Sequence, residues 1–152
     1  VEIALKSPNI SINNACLGTY PPFLLACRYN SDLKVLEMIS NYKGFDVNAV
    51  ESEDNDNAPS IAAFNGNFLA LQFILNNFND KLEISLENFS FDIFCCIKHK
   101  NFLTLKILVK FYSEFFDSPK DLVEHFRFEL SQDPDFDEDD VNQLEKIIFY
   151  YF

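Results

Sequence analysis

One stretch of this chain returns almost unchanged at a later position. Residues 67–75 read NFLALQFIL, and residues 101–109 read NFLTLKILV. A looser copy, DLKVLEMI, occupies residues 32–39. A repeat period in the low thirties is typical of one supersecondary unit stacked on copies of itself. Such stacks offer an extended surface to partners, so the period constrains the kind of fold and the kind of function together.

Composition and charge narrow the classes of partner. The chain has 152 residues, 48% of them hydrophobic, which is enough for one domain with a core. The net charge is −12; residues 1–112 carry 12 acidic and 9 basic side chains, whereas residues 113–152 carry 12 acidic and 3 basic ones. Nucleic acids and anionic membranes attract clustered Lys and Arg, so both are disfavoured. With neither a membrane-length apolar run nor a signal peptide in the sequence, we expect a cytoplasmic protein.

The middle copy indicates how each unit should fold. Residues 57–63, NAPSIAA, predict a turn that enters a short helix, in which two adjacent alanines allow a second helix to approach closely. Gly66 suits the left-handed conformation that ends a helix, and Asn67 can cap the next one. Apolar side chains then recur at helical spacing as far as Asn76. We therefore predict an all-α chain built from helix-turn-helix units.

The flanking copies follow the same plan with less fidelity. Residues 21–27 predict the first helix of one unit and residues 28–30 its turn. Its second helix, residues 32–39, should end at Gly44 before an extended exit of sequence FDVNA. In the third copy, Cys95 and Cys96 stand where the middle copy has its two alanines. The first helix of the third unit is therefore assigned from its spacing to the middle copy, because few of its residues are identical to those of that copy.

Residues 113–152 do not match the repeat. Ser118 can cap a helix that begins at Pro119, and Asp121 completes a capping box. An acidic loop interrupted by a proline follows, and a last helix is predicted from Val141 onwards. We predict a divergent terminal repeat or helical cap, since the last unit of a stack must cover an exposed core face.

These units resemble ankyrin repeats, whose pattern is roughly Thr-Pro-Leu-His-Leu-Ala-Ala, a turn with Gly, a second apolar helix, and Gly-Ala-Asp-Val-Asn-Ala. The matching residues are Pro22, Leu25, Ala26 and Cys27 in one copy, Ile61, Ala62, Ala63 and Gly66 in the next, and Gly44, Asp46, Val47, Asn48 and Ala49 in the exit. The resemblance covers about residues 10–112. It implies an ankyrin-type solenoid with about three repeats in residues 1–112, the first truncated. The opening His of the family is missing, so the hydrogen bonds it makes between repeats should be missing too.

No constellation of residues points to catalysis or to a bound cofactor. The cysteines, Cys16, Cys27, Cys95 and Cys96, form no Cys-x-x-Cys pair and no ligand spacing with His99 or His125. We expect free, buried thiols in a reducing compartment, no metal and no cofactor, with both histidines at the surface. The sequence has no Ser-His-Asp order, Gly-rich phosphate loop or zinc-protease motif, so we predict that the chain is not an enzyme.

The resemblance also implies where a partner should bind. In ankyrin repeats the loop tips and the turns after the first helices line a concave face. Carried over by register, the contact residues are Arg28, Tyr29, Glu51, Ser52, Glu53, Asp56, Phe64, Asn65, Ile97 and Lys98. Tyr29 and Phe64 are aromatic anchors and Arg28 a charged one, as at many binding hot spots. For Phe64 and Ile97, packing between repeats is the open alternative.

Together these patterns predict a monomeric module for protein–protein interaction. The acidic loop at residues 51–57 favours a partner with a basic surface, although a simple solvated loop would have the same composition. A second function stays open, in which the chain is a structural spacer segment of a larger ankyrin-repeat protein and has no dedicated partner.

Overall fold

The computed structural model describes residues 11–14, 20–29, 32–51, 53, 56–83, 86–130 and 137–151. Within these ranges the chain is all-α, as predicted, with eight α-helices and no strand. The helices are α1 (Pro22–Tyr29), α2 (Leu33–Ser40), α3 (Ala58–Phe64), α4 (Phe68–Phe78), α5 (Leu86–Lys98), α6 (Phe102–Tyr112), α7 (Pro119–Leu130) and α8 (Glu138–Tyr151). Short 3-10 turns follow α4 (Asn79–Lys81) and α6 (Ser113–Phe115).

The helices form four hairpins stacked in two rows. Each odd-numbered helix packs against the even-numbered helix that follows it. The first helices, α1, α3, α5 and α7, also pack side by side in chain order, and the second helices, α2, α4, α6 and α8, do the same. Residues 113–152, predicted as a divergent terminal repeat or cap, contribute the hairpin α7–α8, which packs on α5 and α6 at one end of both rows.

Helix α3 lies at the centre of the first row and is buried on almost every side. It packs between α1 and α5, with α4 and α6 behind it, and residues 58–63 are all buried. Its small Ala62 and Ala63 have no exposed surface, which fits their predicted role in close helix approach. Large side chains fill the space between the rows: Phe23, Leu36, Leu71, Ile74, Ile93, Leu105, Leu108, Leu122, Phe126 and Leu144.

The turn between the two helices of a hairpin has the same backbone in successive units. The Gly66 N–H donates to the Ala63 carbonyl (3.0 Å), and the Asn67 N–H donates to the Ala62 carbonyl (2.8 Å). This pair of bonds defines a Schellman motif, and Gly66 takes the predicted left-handed conformation, with φ of 66°. The same pair recurs in the next unit around Lys100, a non-glycine residue with φ of 57°. Its acceptors are the Cys96 and Ile97 carbonyls, so these two residues, and not the predicted Cys95 and Cys96, take the places of the two alanines.

Asparagine side chains connect successive units through their loops. The Asn13 amide donates to the Gly44 carbonyl (2.7 Å), and its oxygen accepts from the Asp46 N–H (2.9 Å). Asn48 makes the equivalent contacts one unit later. Its amide donates to the Lys81 carbonyl (2.8 Å), and its oxygen accepts from the Glu83 N–H (3.0 Å). The backbone of these loops has no strand partner among the described residues, so side chains from the neighbouring unit supply its hydrogen bonds.

A second pair of asparagines joins units at the turns. The Asn67 oxygen caps α4 by accepting from the Ala70 N–H (3.2 Å), as predicted, while its amide reaches back to the Cys27 carbonyl at 2.8 Å. Asn101, the equivalent residue of the next unit, donates to two carbonyls at the end of α3, at 3.2 and 3.0 Å. These asparagines, like Asn13 and Asn48, connect each unit to its neighbour through side-chain hydrogen bonds.

Predicted helix boundaries agree with the structure to within a few residues. The predicted cap at Ser118 is confirmed, because the Asp121 N–H donates to the Ser118 hydroxyl (3.2 Å), and this hydroxyl donates to the Asp121 carboxylate (2.7 Å). Helix α8 begins at Glu138, three residues earlier than predicted. The Asp137 carboxylate caps it by accepting from the Asp140 N–H (2.9 Å). Helix α4 continues past the predicted stop at Asn76, and α2 ends four residues before Gly44. In the described ranges, no helix combines the length and the apolar character needed to cross a bilayer.

Candidate functional site

The hairpin turns of the first three units bring one set of helix ends to a common edge. We define the turn edge as residues 28, 29, 32–34, 64–68 and 98–103. Each range joins the end of a first helix to the start of a second helix. Because equivalent helices pack side by side, these ends lie next to one another along the stack.

Exposed aromatic side chains recur along the turn edge at equivalent positions. The exposed fractions are 72% for Tyr29, 43% for Phe64, 37% for Phe68 and 41% for Phe102. Phe68 and Phe102 are each the first residue of a second helix, in successive units. Exposed large apolar side chains near one another on a surface commonly indicate an interaction site.

The first unit adds a guanidinium in contact with two aromatic rings. The Cζ atom of Arg28 lies 5.1 Å from the ring centroid of Tyr20 and 5.1 Å from that of Tyr29. Its Nε is buried and has no hydrogen-bond partner among the described residues. Cation–π contacts with two rings restrict the rotamers of a long side chain, so the guanidinium is partly positioned before any partner binds.

The second and third units meet at the turn edge through an aromatic contact. The rings of Phe64 and His99 are 4.6 Å apart between centroids, in an edge-to-face arrangement. The Lys98 ammonium lies 5.8 Å from the centroid of the Phe94 ring. Lys98, His99 and Lys100 are all exposed. The predicted surface position of His99 is therefore confirmed, and the third unit presents two cations beside the aromatic row.

The predicted contact residues divide between two ends of the hairpins. Arg28, Tyr29, Phe64, Asn65 and Lys98 lie on the turn edge, as predicted. The acidic loop instead joins the end of α2 to the start of α3, at the opposite ends of the helices. Helices of 8 to 11 residues separate these two ends by roughly 12–16 Å. The structure thus does not combine the turns and the loop into one contiguous site.

Two of the predicted contact residues are buried, which corrects their assignment to the surface. Only 1% of Glu51 is exposed, and its carboxylate accepts from the Glu53 N–H at 2.7 Å. Ile97 is packed in the core, as the alternative interpretation held. Glu53 is exposed and Asp56 half-buried, while Ser52 lies outside the described residues.

A buried carboxyl group on α5 was missed by sequence analysis. Asp92 is 2% exposed, and its Oδ1 has no hydrogen-bond partner among the described residues. Burial raises the pKa of Asp92 to about 7; a hydrogen bond from Ser60 opposes this effect and the charge of Asp56 adds to it. The group borders a cavity of about 20 Å³ that Tyr112 also lines, large enough for one water molecule. The sequence signal that could have revealed this buried group is an Asp inside an otherwise apolar helical stretch.

The described thiols are free and buried, as predicted, and they are chemically inert. Cys27, Cys95 and Cys96 form no disulfide, while Cys16 lies outside the described residues. Burial raises the pKa of Cys95 and that of Cys96 to about 12, and raises the pKa of Cys27 further. A thiol reacts as its thiolate, so these groups are poor nucleophiles. No cluster of metal-ligating side chains occurs among the described residues.

His125 serves as a link between α5 and α7 rather than as the predicted surface residue. It is half-buried, and its Nε2 lies 3.2 Å from the Ser90 hydroxyl. The rings of Phe116 and Phe126 pack against the imidazole, each 5.6 Å away between centroids. A Ser–His pair can act in catalysis, but nucleophilic attack also needs access for substrate, and Ser90 is 8% exposed. The pair therefore connects the third and fourth hairpins.

Comparison of the chain with family models, with curated protein sequences and with solved structures gives no match.

Proposed function

We propose that this chain is a divergent ankyrin-type repeat protein that works as a module for protein–protein interaction. Support for the family assignment comes from the recurrence of residues 67–75 at 101–109, the stack of helical hairpins and the left-handed turn residues at equivalent positions. Support for the interaction function comes mainly from one observation. Aromatic side chains are exposed at equivalent positions of successive units along the turn edge.

The proposed mechanism is recognition by a preformed surface. The turn edge is built from helix ends whose backbone is hydrogen-bonded within and between units. A surface that is already ordered loses little conformational entropy on binding. Aromatic and Arg side chains supply most of the energy at interfaces, so Tyr29, Phe64, Phe102 and Arg28 are the proposed anchors.

The spacer function is the second candidate, and one feature favours it. A groove between α7 and α8 is lined by the side chains Lys120, Val123, Glu124, Arg127, Glu145 and Phe149. Phe149 is exposed beside it. A groove with an apolar centre and charged walls is the kind of surface on which a further helical unit would pack. In this alternative the groove is the contact surface, and the turn edge has no binding role.

Capture of partners from cell lysate tests the two candidates against each other. The immobilised chain is compared with Tyr29→Ala/Phe64→Ala/Phe102→Ala and with the matched control Phe128→Ala/Phe149→Ala/Tyr150→Ala. The control also removes one exposed Tyr and two exposed Phe, but from α7 and α8. We expect a protein that is enriched on the parent and the control and lost from the turn-edge variant. No enrichment on the parent would contradict the interaction function and favour the spacer function. A protein lost only from the control would move the binding surface from the turn edge to α7 and α8.

A further inference from the structure

The turn edge carries a charge opposite to that of the whole chain. It has four basic side chains, Arg28, Lys34, Lys98 and Lys100, and one acidic side chain, Asp32. The net charge of the chain is −12. Charges further away than about 8 Å are largely screened at physiological ionic strength, so a partner at the edge senses its local excess of positive charge.

We infer that the turn edge binds an extended acidic segment of another protein, in which apolar side chains accompany the carboxylates. The inference rests on the proposed interaction function and specifies the partner's chemistry. It reverses the expectation of a basic partner, which was drawn from the loop at residues 51–57. Within that loop Glu51 is buried, so it offers less acidic surface than the sequence suggests.

Arg28 provides the selectivity of the turn edge for carboxylates. Its guanidinium contacts the rings of both Tyr20 and Tyr29, which restricts the rotamers of the side chain. A planar guanidinium binds a carboxylate through two parallel hydrogen bonds, a geometry that an ammonium group does not offer. Exposed aromatic rings on the same edge supply the contacts for apolar side chains of the segment.

The spacing of the units favours an extended occupant over a folded one. Neighbouring helices pack about 8–10 Å apart, so equivalent side chains such as Phe68 and Phe102 repeat along the edge at about that distance. A polyproline II segment has three residues per turn and rises about 3.1 Å per residue, so one of its faces repeats about every 9.3 Å. Every third residue of the segment would therefore meet the same position of the next unit.

The edge changes sign at the fourth hairpin, which limits the segment to three units. The start of α8 carries the acidic residues Asp137, Glu138, Asp139 and Asp140. A carboxylate-rich segment is repelled there, so it should cover the first three units only. The same acidic residues would repel the continuous phosphate backbone of a nucleic acid, whose affinity depends on many cationic contacts.

Selection from a random library of twelve-residue peptides displayed on phage tests the inference. The immobilised full chain serves as bait, with counter-selection on Tyr29→Ala/Phe64→Ala/Phe102→Ala. We expect the surviving pool to contain more Asp and Glu than Lys and Arg, with apolar residues three positions apart. A pool rich in Lys and Arg, a pool without acidic excess, or no peptide that depends on the edge would each overturn the inference.

Charge variants then assign the contact by fluorescence anisotropy of a selected peptide. Lys34→Gln/Lys98→Gln should weaken its binding about tenfold or more, as should Arg28→Gln, since charge-assisted contacts are lost. The matched control Lys106→Gln/Lys110→Gln removes two exposed lysines from α6 and should leave affinity unchanged. If the control weakened peptide binding equally, the loss of affinity would come from the change in overall charge, and the inference of a local binding site would be wrong.

Two further arms separate other occupants. A labelled uridine twelve-mer that binds the edge more tightly than the peptides would assign a nucleic acid instead. Self-association in sedimentation that is lost in the turn-edge variant would assign a second copy of the chain. The interaction function itself is judged by the lysate capture, so capture that depends on the edge without an acidic peptide pool would overturn only the partner's chemistry.

Discussion

The protonation of one buried carboxyl group should make stability depend on pH. Burial against Tyr112 and the nearby charge of Asp56 raise the pKa of Asp92 to about 7 in the folded state. In the unfolded chain the group is solvated and titrates near its ordinary value of 3.8. A raised folded-state pKa means that the folded protein binds the proton more tightly. The stabilisation is thus complete below the unfolded value and is lost as pH rises through about 7.

Replacement of Asp92 by Asn should remove this dependence. The amide keeps a hydrogen-bonding group near Ser60 but cannot ionise, so the variant avoids a buried charge at high pH. Relative to the variant, the parent should lose on the order of 2–4 kcal/mol of unfolding free energy between pH 4 and pH 8. Urea unfolding of both proteins at pH 4, 6, 7 and 8 measures the difference. A difference that stays constant over this range would contradict a raised pKa.

The two left-handed glycines should respond unequally to the same substitution. A methyl group on Gly66 would lie 2.6 Å from the Asn101 side-chain oxygen, whereas one on Gly44 would meet nothing within 4 Å. Both residues have positive φ, so both alanine variants carry the backbone strain of about 1 kcal/mol or more. Asn101 cannot move freely, because its amide is bonded to the end of α3.

We therefore expect Gly66→Ala to destabilise the chain by about 1–2 kcal/mol more than Gly44→Ala, since it also displaces the hydrogen bonds of Asn101. Urea unfolding of the two variants gives the comparison, and Gly44→Ala serves as the control for backbone strain. Equal losses would show that the contact with Asn101 is unimportant.

At the scale of helices, Asn67 combines two tasks that a single substitution can separate. Its oxygen caps α4, and its amide donates to the Cys27 carbonyl at the end of α1. Asn67→Asp keeps the capping acceptor but replaces the donor by an oxygen that faces the carbonyl. We expect a loss of about 1–3 kcal/mol, because a partly buried hydrogen bond becomes a repulsive contact.

The matched control is Asn77→Asp, since the Asn77 amide donates to the Phe73 carbonyl at an exposed site within α4 alone. Thermal unfolding of both variants measures the losses. If Asn67→Asp cost no more than the control, the bond between α1 and α4 would contribute little to the stacking of units.

The helices were predictable because their signals are local. Apolar spacing, the cap at Asn67 and the left-handed turn at Gly66 act within a few residues, and the repetition of the unit along the chain multiplies each signal. Lys100 shows the limit of such reasoning. It takes the conformation of Gly66 although its side chain disfavours it, since stacking of the neighbouring helices determines the turn.

The candidate site was predictable only in part, because burial depends on which helix ends meet. Register placed Arg28, Tyr29 and Phe64 at the turn ends of their hairpins, although Arg28 and Tyr29 are the last residues of a helix and not the predicted turn. The sequence contained no sign that Glu51 would be buried, or that the loop would lie at the opposite helix ends from the turns. The buried Asp92 depends likewise on contacts between units that no local pattern reveals.

At the scale of the whole molecule, charge is distributed unevenly along the stack. Residues 113–152 hold 12 acidic and 3 basic side chains, and an ion pair between Arg127 and Glu145 neutralises one of these charges within α7 and α8. Like charges at this density repel one another and destabilise the folded state, and added salt screens the repulsion. The fourth hairpin should therefore be the unit whose stability depends most on ionic strength.

We expect the melting temperature at pH 8 to rise when NaCl increases from 20 to 300 mM, by about 2–4 °C for each kcal/mol of repulsion removed. Glu114→Gln/Glu124→Gln, which removes two exposed carboxylates from the acidic region, should reduce this rise. Lys120→Gln, which removes a cation from the same region, should increase it. Calorimetry of the three proteins at both salt concentrations measures the effect. A melting temperature that falls with salt would show that attractive pairs such as Arg127–Glu145 outweigh the repulsion, and the acidic hairpin would then be stabilised by its charges.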